Sequence, residues 1–343
     1  MNKKWTLWAG LILILVVFIL IWQFAPAIQR WLANVFIDII VLALTFAAGW
    51  LLAPWRRVTQ PQRQREKRPQ HHRGAETVRL KLHISPCPND TFMFDALVNG
   101  RIDTGSLRFE VEYYDIEELN RGAGLGRADI SKISCAVLPA IAEHYALLDS
   151  GAALGRGNGP LLVRRAGDTR PIRRVAVPGL HTTANVLMGK LFPEIEERTP
   201  LLFSRIAAAV ERGDFDAGVL IHEGRFVYRQ RQLELVADLG QLWERTTALP
   251  LPLGGIAAKR SLPEAMRRQV ETLIRQSIEY AFAHPEASRA YIKEHAQELD
   301  DAVIDAHIAL FVNDYSLSLG IEGRRAVEAL TNCLRSKAQN NEK

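Results

Sequence analysis

The 343-residue chain is 48% hydrophobic and 24% charged, enough to bury more than one core. Its three widely spaced cysteines (Cys87, Cys135, Cys333) exclude a disulfide scaffold and fit a reducing compartment. The net charge of +5 is lopsided: residues 1–73 hold ten Lys/Arg against Asp38 and Glu66, so the remainder is net acidic and lacks the basic face that nucleic-acid binding needs.

Two apolar runs open the chain, at 5–24 and 35–53, each long enough to cross a bilayer. Trp5, Trp8, Trp22, Trp31, Trp50 and Trp55 fall at or near their ends, as in the aromatic belts of membrane interfaces. Residues 1–56 are therefore expected to form a transmembrane helical hairpin. Lys3 and Lys4 precede it, a cluster from Arg56 to Arg73 follows it, and only Arg30 lies between. By the positive-inside rule both ends face the cytoplasm. Residues 57–76, polar, basic and proline-bearing, read as a disordered linker. The expected location is an inner membrane with the body on the cytoplasmic side. The rival account is a misassigned start upstream of Val78, which leaves a cytoplasmic protein.

From Thr77 strand-like and helix-like runs alternate. The run at 80–84 reads as a strand, stopped by Pro86 and Pro88. Asn89 or Asp90 is then placed to cap a helix from Thr91, leaving free N–H groups that suit an anion. Strands are expected at 107–114, 128–134, 160–164, 174–177, 200–203 and 217–221. Helices are expected at 116–122, 136–144, 183–192 (capped by Thr182 or Thr183), 205–212, 263–284, 285–297, 301–313 and 322–336. This alternation implies an α/β protein with mainly parallel sheets, whose ligands sit at strand C-termini. His222 stands at such a tip, after the apolar AGVLI, where an imidazole can act as a base or simply cap a loop. His222-Glu223 does not open a zinc motif, because Phe226 stands where the second histidine belongs. Neither glycine cluster, GAGLGRAD or GAALGRGNGP, has nucleotide-binding spacing. No metal and no cofactor is expected.

The segments SPCPNDTFMFDALVNG (85–100), DIEELN (115–120), SGAALGRGNGPLLV (150–163), TTAN (182–185), GVLIHEGRF (218–226) and LPLPLGGI (249–256) together resemble the 1,4-dihydroxy-6-naphthoate synthases of the futalosine route to menaquinone. The resemblance runs in order from about residue 78 to 335. It implies a two-lobed, type II periplasmic-binding-protein-like fold, with lobe 1 at about 77–165 plus 253–338 and lobe 2 at about 172–248, within a body spanning 77–338. It also implies a lyase acting on a small molecule, cyclic dehypoxanthinyl futalosine, without metal or nucleotide. Carried over position by position, His222 is the proton acceptor. Thr182, Thr183 and Ala184, and Lys132, Ile133 and Ser134, contact substrate, and the turn with Ser85, Asn89 and Asp90 lines the cleft. Cys135 departs from the family's aromatic residue at that place, and the hairpin is not part of the family pattern. Two alternatives stay open: a non-catalytic solute-binding protein of the same fold, and the sister chorismate dehydratase, against which the IHEGR motif argues.

Overall fold

The computed structural model describes residues 77–296 and 300–341, with side chains to 334. The expected hairpin (1–56) and linker (57–76) lie outside the described residues. Among the described residues no helix is long and apolar enough to cross a membrane.

The chain runs β1 (Val78–Ile84), α1 (Pro88–Val98), β2 (Leu107–Tyr113), α2 (Ile116–Gly124), β3 (Ile130–Ser134), α3 (Leu138–Ile141), β4 (Tyr145–Leu147) and β5 (Ala153–Gly155). It continues with β6 (Leu161–Arg165), β7 (Arg174–Val177), α4 (Thr183–Leu191), β8 (Glu197–Pro200), α5 (Phe203–Arg212), β9 (Ala217–Leu220), α6 (Gly224–Val227), β10 (Leu233–Asp238) and α7 (Leu239–Thr247). Then follow β11 (Leu251–Lys259), α8 (Glu264–Ala283), α9 (Arg289–His295), α10 (Asp301–Phe311), α11 (Asp314–Leu317) and α12 (Gly320–Asn341). The strands form two sheets. The first has the order β2-β1-β3-β11-β4, with β5 also on β11; the second has the order β10-β6-β9-β7-β8. Each sheet is the centre of one lobe, and the chain passes between lobes twice, before β6 and before β11.

β6 pairs within the second sheet, so the first crossing lies between Gly155 and Leu161, earlier than the expected boundary at about 165. The expectation of mainly parallel sheets is also corrected. β1–β2, β1–β3, β7–β8 and β7–β9 are parallel. β11 runs antiparallel to β3, β4 and β5, and β6 runs antiparallel to β9 and β10. Apolar patterning reports which face of a strand is buried, not the direction of its neighbour. The strands that enter and leave the second lobe are the ones that break the parallel rule.

Local chemistry accounts for the elements around the cleft. α1 begins at Pro88, one turn earlier than expected, with Cys87 at the cap position and no side-chain cap. Proline's fixed φ and missing N–H suit the first helical position. Asn89 and Asp90 therefore sit inside the first turn rather than capping it. Asp115 caps α2 through the N–H groups of Glu117 and Glu118, and Thr182 caps α4 through that of Asn185. The helix expected at 136–144 is broken into a 3-10 turn (Cys135–Val137) and the short α3, where Pro139 removes a donor. The strand expected at 200–203 falls instead at β8, an exposed edge, while Phe203 starts α5 and is buried.

Lobe 1 is built on Leu80, Leu82 and Ile84 packed against Phe94 of α1 and Ile274 and Ile278 of α8. Lobe 2 packs Val175, Val177, Leu187, Val219 and Trp243, and Leu330 of α12 joins this second core. Fully burying one such side chain contributes about 1.5–3 kcal/mol, so both sheets rest on rigid interiors. The last helix, packed also against β11, joins the two.

Candidate active site

A cavity lies between the two sheets. Its lobe 1 wall grows from the C-terminal ends of β1 and β3. There Asp90, wholly buried, is a hub. Its Oδ2 accepts from the Ser85 N–H (3.1 Å) and the Ser85 hydroxyl (2.7 Å). Its Oδ1 accepts from the Asn89 amide (2.8 Å) and from the Lys132 ammonium (2.8 Å). A carboxylate with four donors, one of them a cation, is held in one position. Asn89 in turn lies 3.0 Å from Nε2 of His307, on α10. The stiff SPCPND turn thus closes a buried polar network, and Ser85, Asn89 and Lys132 present their outer faces to the cavity.

The lobe 2 wall has a different character. Thr182, Thr183 and Ala184 line the cavity at the start of α4. The Thr182 hydroxyl donates to Gly179 O (2.7 Å) and accepts from Asn185 N–H (3.2 Å). The Thr183 hydroxyl donates to Leu253 O on β11 (2.8 Å) and accepts from Ala136 N–H (3.3 Å), so it fastens one lobe to the other. The hydroxyl of Thr183 is thus committed to the protein rather than facing a ligand. What α4 offers the cavity is the first-turn N–H groups of Thr183 and Ala184, which have no partner inside the helix, and the positive end of the helix dipole. Nearby, Ser134 accepts from Asn120 Nδ2 and keeps its own hydroxyl proton for a ligand. Lys132 gives one of its three N–H groups to Asp90.

His222 follows β9 with φ +53, the left-handed region in which a non-glycine residue costs about 1–3 kcal/mol. The imidazole lines the cavity, stacks on the ring of His307 (centroids 5.9 Å, planes within 7°) and meets the ring of Phe203 edge-on (4.9 Å, 63°). Its Nε2 is buried without a hydrogen-bond partner among the described residues. Burial lowers its pKa to about 4, with Asp90 opposing and Lys132 adding to the shift. At neutral pH the ring is therefore uncharged, with a lone pair available to accept a proton. Arg225 closes this wall, donating to Gly159 O (2.6 Å) and Gly157 O (2.9 Å) across the first crossing. Gly159 and Gly240 lie so close that a Cβ on Gly159 would fall 2.2 Å from the Gly240 backbone nitrogen.

Eight of the ten residues singled out in the sequence line this one cavity: Ser85, Asn89, Lys132, Ser134, Thr182, Thr183, Ala184 and His222. Asp90 stands behind the wall as its anchor. The side chain of Ile133 alternates to the opposite face of β3 and packs with Val137, Ile141 and Tyr145. Cys135 is buried against the second core, its thiol pushed up to about 12 by burial, so it is no nucleophile. Sequence reasoning missed His307 altogether, and met Asn158 and Gly159 only as part of the 150–163 segment, without a role in the site. The signal for His307 is a single imidazole in the otherwise apolar AHIALF. No group of metal-binding side chains occurs among the described residues.

The family model described as menaquinone biosynthesis matches residues 80–336. Two curated relatives, both named 1,4-dihydroxy-6-naphthoate synthase, are 46% identical over 253 residues (Thermus thermophilus; 73% of this chain and 92% of that protein) and 44% identical over 257 residues (Streptomyces coelicolor; 73% and 91%). Two solved structures are similar in fold. A protein of Archaeoglobus fulgidus is 32% identical with a TM-score of 0.71, over 76% of this chain and 98% of that one. A Candida albicans protein described as having the generic periplasmic-binding-protein fold is 13% identical with a TM-score of 0.56, over 74% and 90%. The two sheets, the double crossing and the cavity between them are thus those of a periplasmic-binding-protein-like body, and the chain belongs to the menaquinone biosynthesis family, among its 1,4-dihydroxy-6-naphthoate synthases.

Proposed function

We propose that the chain cleaves cyclic dehypoxanthinyl futalosine to 1,4-dihydroxy-6-naphthoate, with His222 as the general base and the start of α4 as the seat of the substrate carboxylate. The observation that carries this is the bare, buried Nε2 of a neutral imidazole on the wall of the one cavity that gathers the motif residues. The carboxylate meets the N–H groups of Thr183 and Ala184, the Ser134 hydroxyl and the remaining N–H groups of Lys132. So held, the substrate presents a carbocycle C–H to His222. The imidazole takes the proton, the C–H electron pair becomes a ring π bond, and the bond to the sugar-derived fragment breaks as the ring becomes aromatic; its electron pair leaves with that fragment, which takes back the proton from the imidazolium. The Thr182 hydroxyl caps α4, and the Thr183 hydroxyl fastens one lobe to the other. A solute-binding protein has no need of a strained, unpartnered imidazole in its cleft, which favours chemistry over transport.

Residues 1–56 hold this body at a membrane, facing the cytoplasm. The support is in the sequence: two apolar runs, tryptophans at their ends and basic residues on the outer flanks.

Mass spectrometry of a reaction with cyclic dehypoxanthinyl futalosine tests the first reading. Dihydroxynaphthoate forms with the wild-type chain and not with His222→Gln. Product formation by both at similar rates removes His222 from the mechanism, and none by either removes the substrate. Fractionation tests the second: the native protein pellets with membranes and resists an alkaline wash, whereas recovery in the soluble fraction overturns the anchored reading.

A further inference from the structure

His307 is wholly buried in α10, takes no part in the chemistry described above, and yet touches both walls of the site. Its surroundings fix its protonation pattern. The Asn89 amide nitrogen donates to Asp90 Oδ1, the same oxygen that Lys132 grips at 2.8 Å. Turning that amide over would set its oxygen against a carboxylate oxygen, two acceptors without a proton between them. Asn89 Oδ1 therefore faces His307, and Nε2 of His307 must carry the hydrogen that spans the 3.0 Å. Nδ1 is left bare, and it has no partner among the described residues. The ring plane is set by this bond and by Phe311, whose ring lies 4.7 Å away. Against that plane lies the imidazole of His222, nearly parallel. The His222 backbone is in a conformation that only its surroundings can hold.

We propose that His307 is a positioning residue for the pocket's base: locked in its Nε2–H tautomer by the Lys132–Asp90–Asn89 chain, it supplies the lobe 1 surface on which the lobe 2 imidazole of His222 is aligned. The two rings belong to different lobes, so the stack also makes the base correctly placed only when the lobes are together. The charged groups that bear on the pair are Asp90 and Lys132 from lobe 1 and Arg225 from α6. Burial lowers the pKa of His307 well below the ordinary value, with His222 and Lys132 acting in the same direction, so the platform is uncharged at neutral pH. A charged platform would repel the imidazolium that forms on His222 during turnover; a neutral one accommodates it.

This rests on the reading of His222 as base, and the test separates the two. In the full-length wild-type chain with 15N-labelled histidine, long-range 1H–15N correlations report each ring's tautomer. His307 is expected to be neutral and protonated at Nε2. A proton on Nδ1, or a charged ring at neutral pH, overturns the proposal whether or not any variant folds. His307→Gln keeps a donor for Asn89 and removes the ring; His307→Phe keeps a ring and removes the donor. Each is expected to lower kcat by about tenfold or more, the scale of a misplaced catalytic group, with KM changed far less. In His307→Gln, which removes the ring, the His222 titration is expected to move from about 4 toward 6.5 as its packing is lost. Wild-type kcat in both variants, with an unmoved His222 titration in His307→Gln, overturns the proposal, as does a rise in KM alone. Failure of the base reading shows elsewhere, in a His222→Gln variant that keeps wild-type turnover.

Discussion

The two walls of the cavity are built on opposite terms. On the lobe 1 side Ser85, Asn89 and Lys132 converge on one carboxylate, and each has a stated partner. On the lobe 2 side the central residue has a strained backbone and an unpartnered nitrogen. A polar network gathered on one carboxylate is rigid and cannot react without breaking itself; an unpartnered imidazole is reactive but has nothing polar to hold it. The site works by setting one against the other. Lobe 1 supplies the fixed frame, and lobe 2 brings the reactive group onto it.

That division can be broken from either side. The largest effect is expected at the reactive wall: His222→Gln lowers kcat by about 10²–10⁴ while KM stays within a few-fold, the usual loss for a general base. Steady-state kinetics decide it, and a KM effect without a kcat effect makes His222 a binding residue only. At the frame, Lys132→Met leaves the Asp90 carboxylate buried without its cation and costs about 3–5 kcal/mol of stability in denaturant unfolding. Adding Asp90→Asn to that variant recovers part of the loss. If the double variant is no more stable than the single one, the carboxylate is not the hub. Thr183→Val removes two bonds between the lobes while the walls themselves stand, at about 1–3 kcal/mol for the groups left unpaired. The amide of Ala136 is then expected to exchange its hydrogen faster than in the wild type, and unchanged exchange shows that the lobes do not depend on this clasp.

A further effect is on acid stability. The folded pKa of His222 is about 4 against an ordinary 6.5, so between these values the unfolded chain binds more protons than the folded one. Stability therefore falls as pH drops from about 6.5 to about 4 and is fully present above that window. His307 and His83, also lowered chiefly by burial, act with the same sign. Replacing His222 with Gln flattens this slope, measurable as denaturation midpoints at successive pH values. An unchanged slope places the sensitivity in the other histidines.

The sequence was most legible where one residue does one local job. Asp115 and Thr182 cap the helices they precede, and Arg174–Val177 and α8 stand where their apolar periods put them. It was least legible where pairing partners are distant. β11, LPLGGIAAK, is interrupted by proline and glycines, and its strand character comes from β3 and β5 on either side. The site divides in the same way. The segments around Ser85, Lys132, Thr183 and His222 carry recognisable motifs, and the structure brings them together. His307 carries none. Its meaning lies in Asn89, 218 positions away, and in a ring stack that no spacing rule describes. The bonds of the Thr183 hydroxyl are illegible for a related reason: a threonine at a helix start looks the same whether it faces a ligand or the other lobe.

The order in which the sheets are threaded has a consequence for synthesis. The lobe 2 sheet is made from one unbroken stretch, β6 to β10, and can close as soon as that stretch leaves the ribosome. The lobe 1 sheet cannot. β3 pairs with β1 on one side, but its other neighbour is β11, with Ser134 opposite Gly254, and α8, which packs on this sheet with α1, comes later still. At roughly 5–20 residues per second, the free edge of β3 waits on the order of ten seconds for its partner. During that interval a buried strand, ISKIS, stands as an open template for pairing with a neighbouring nascent chain. The lobe that ends as the rigid frame is therefore the last to form and the one most in need of chaperone protection.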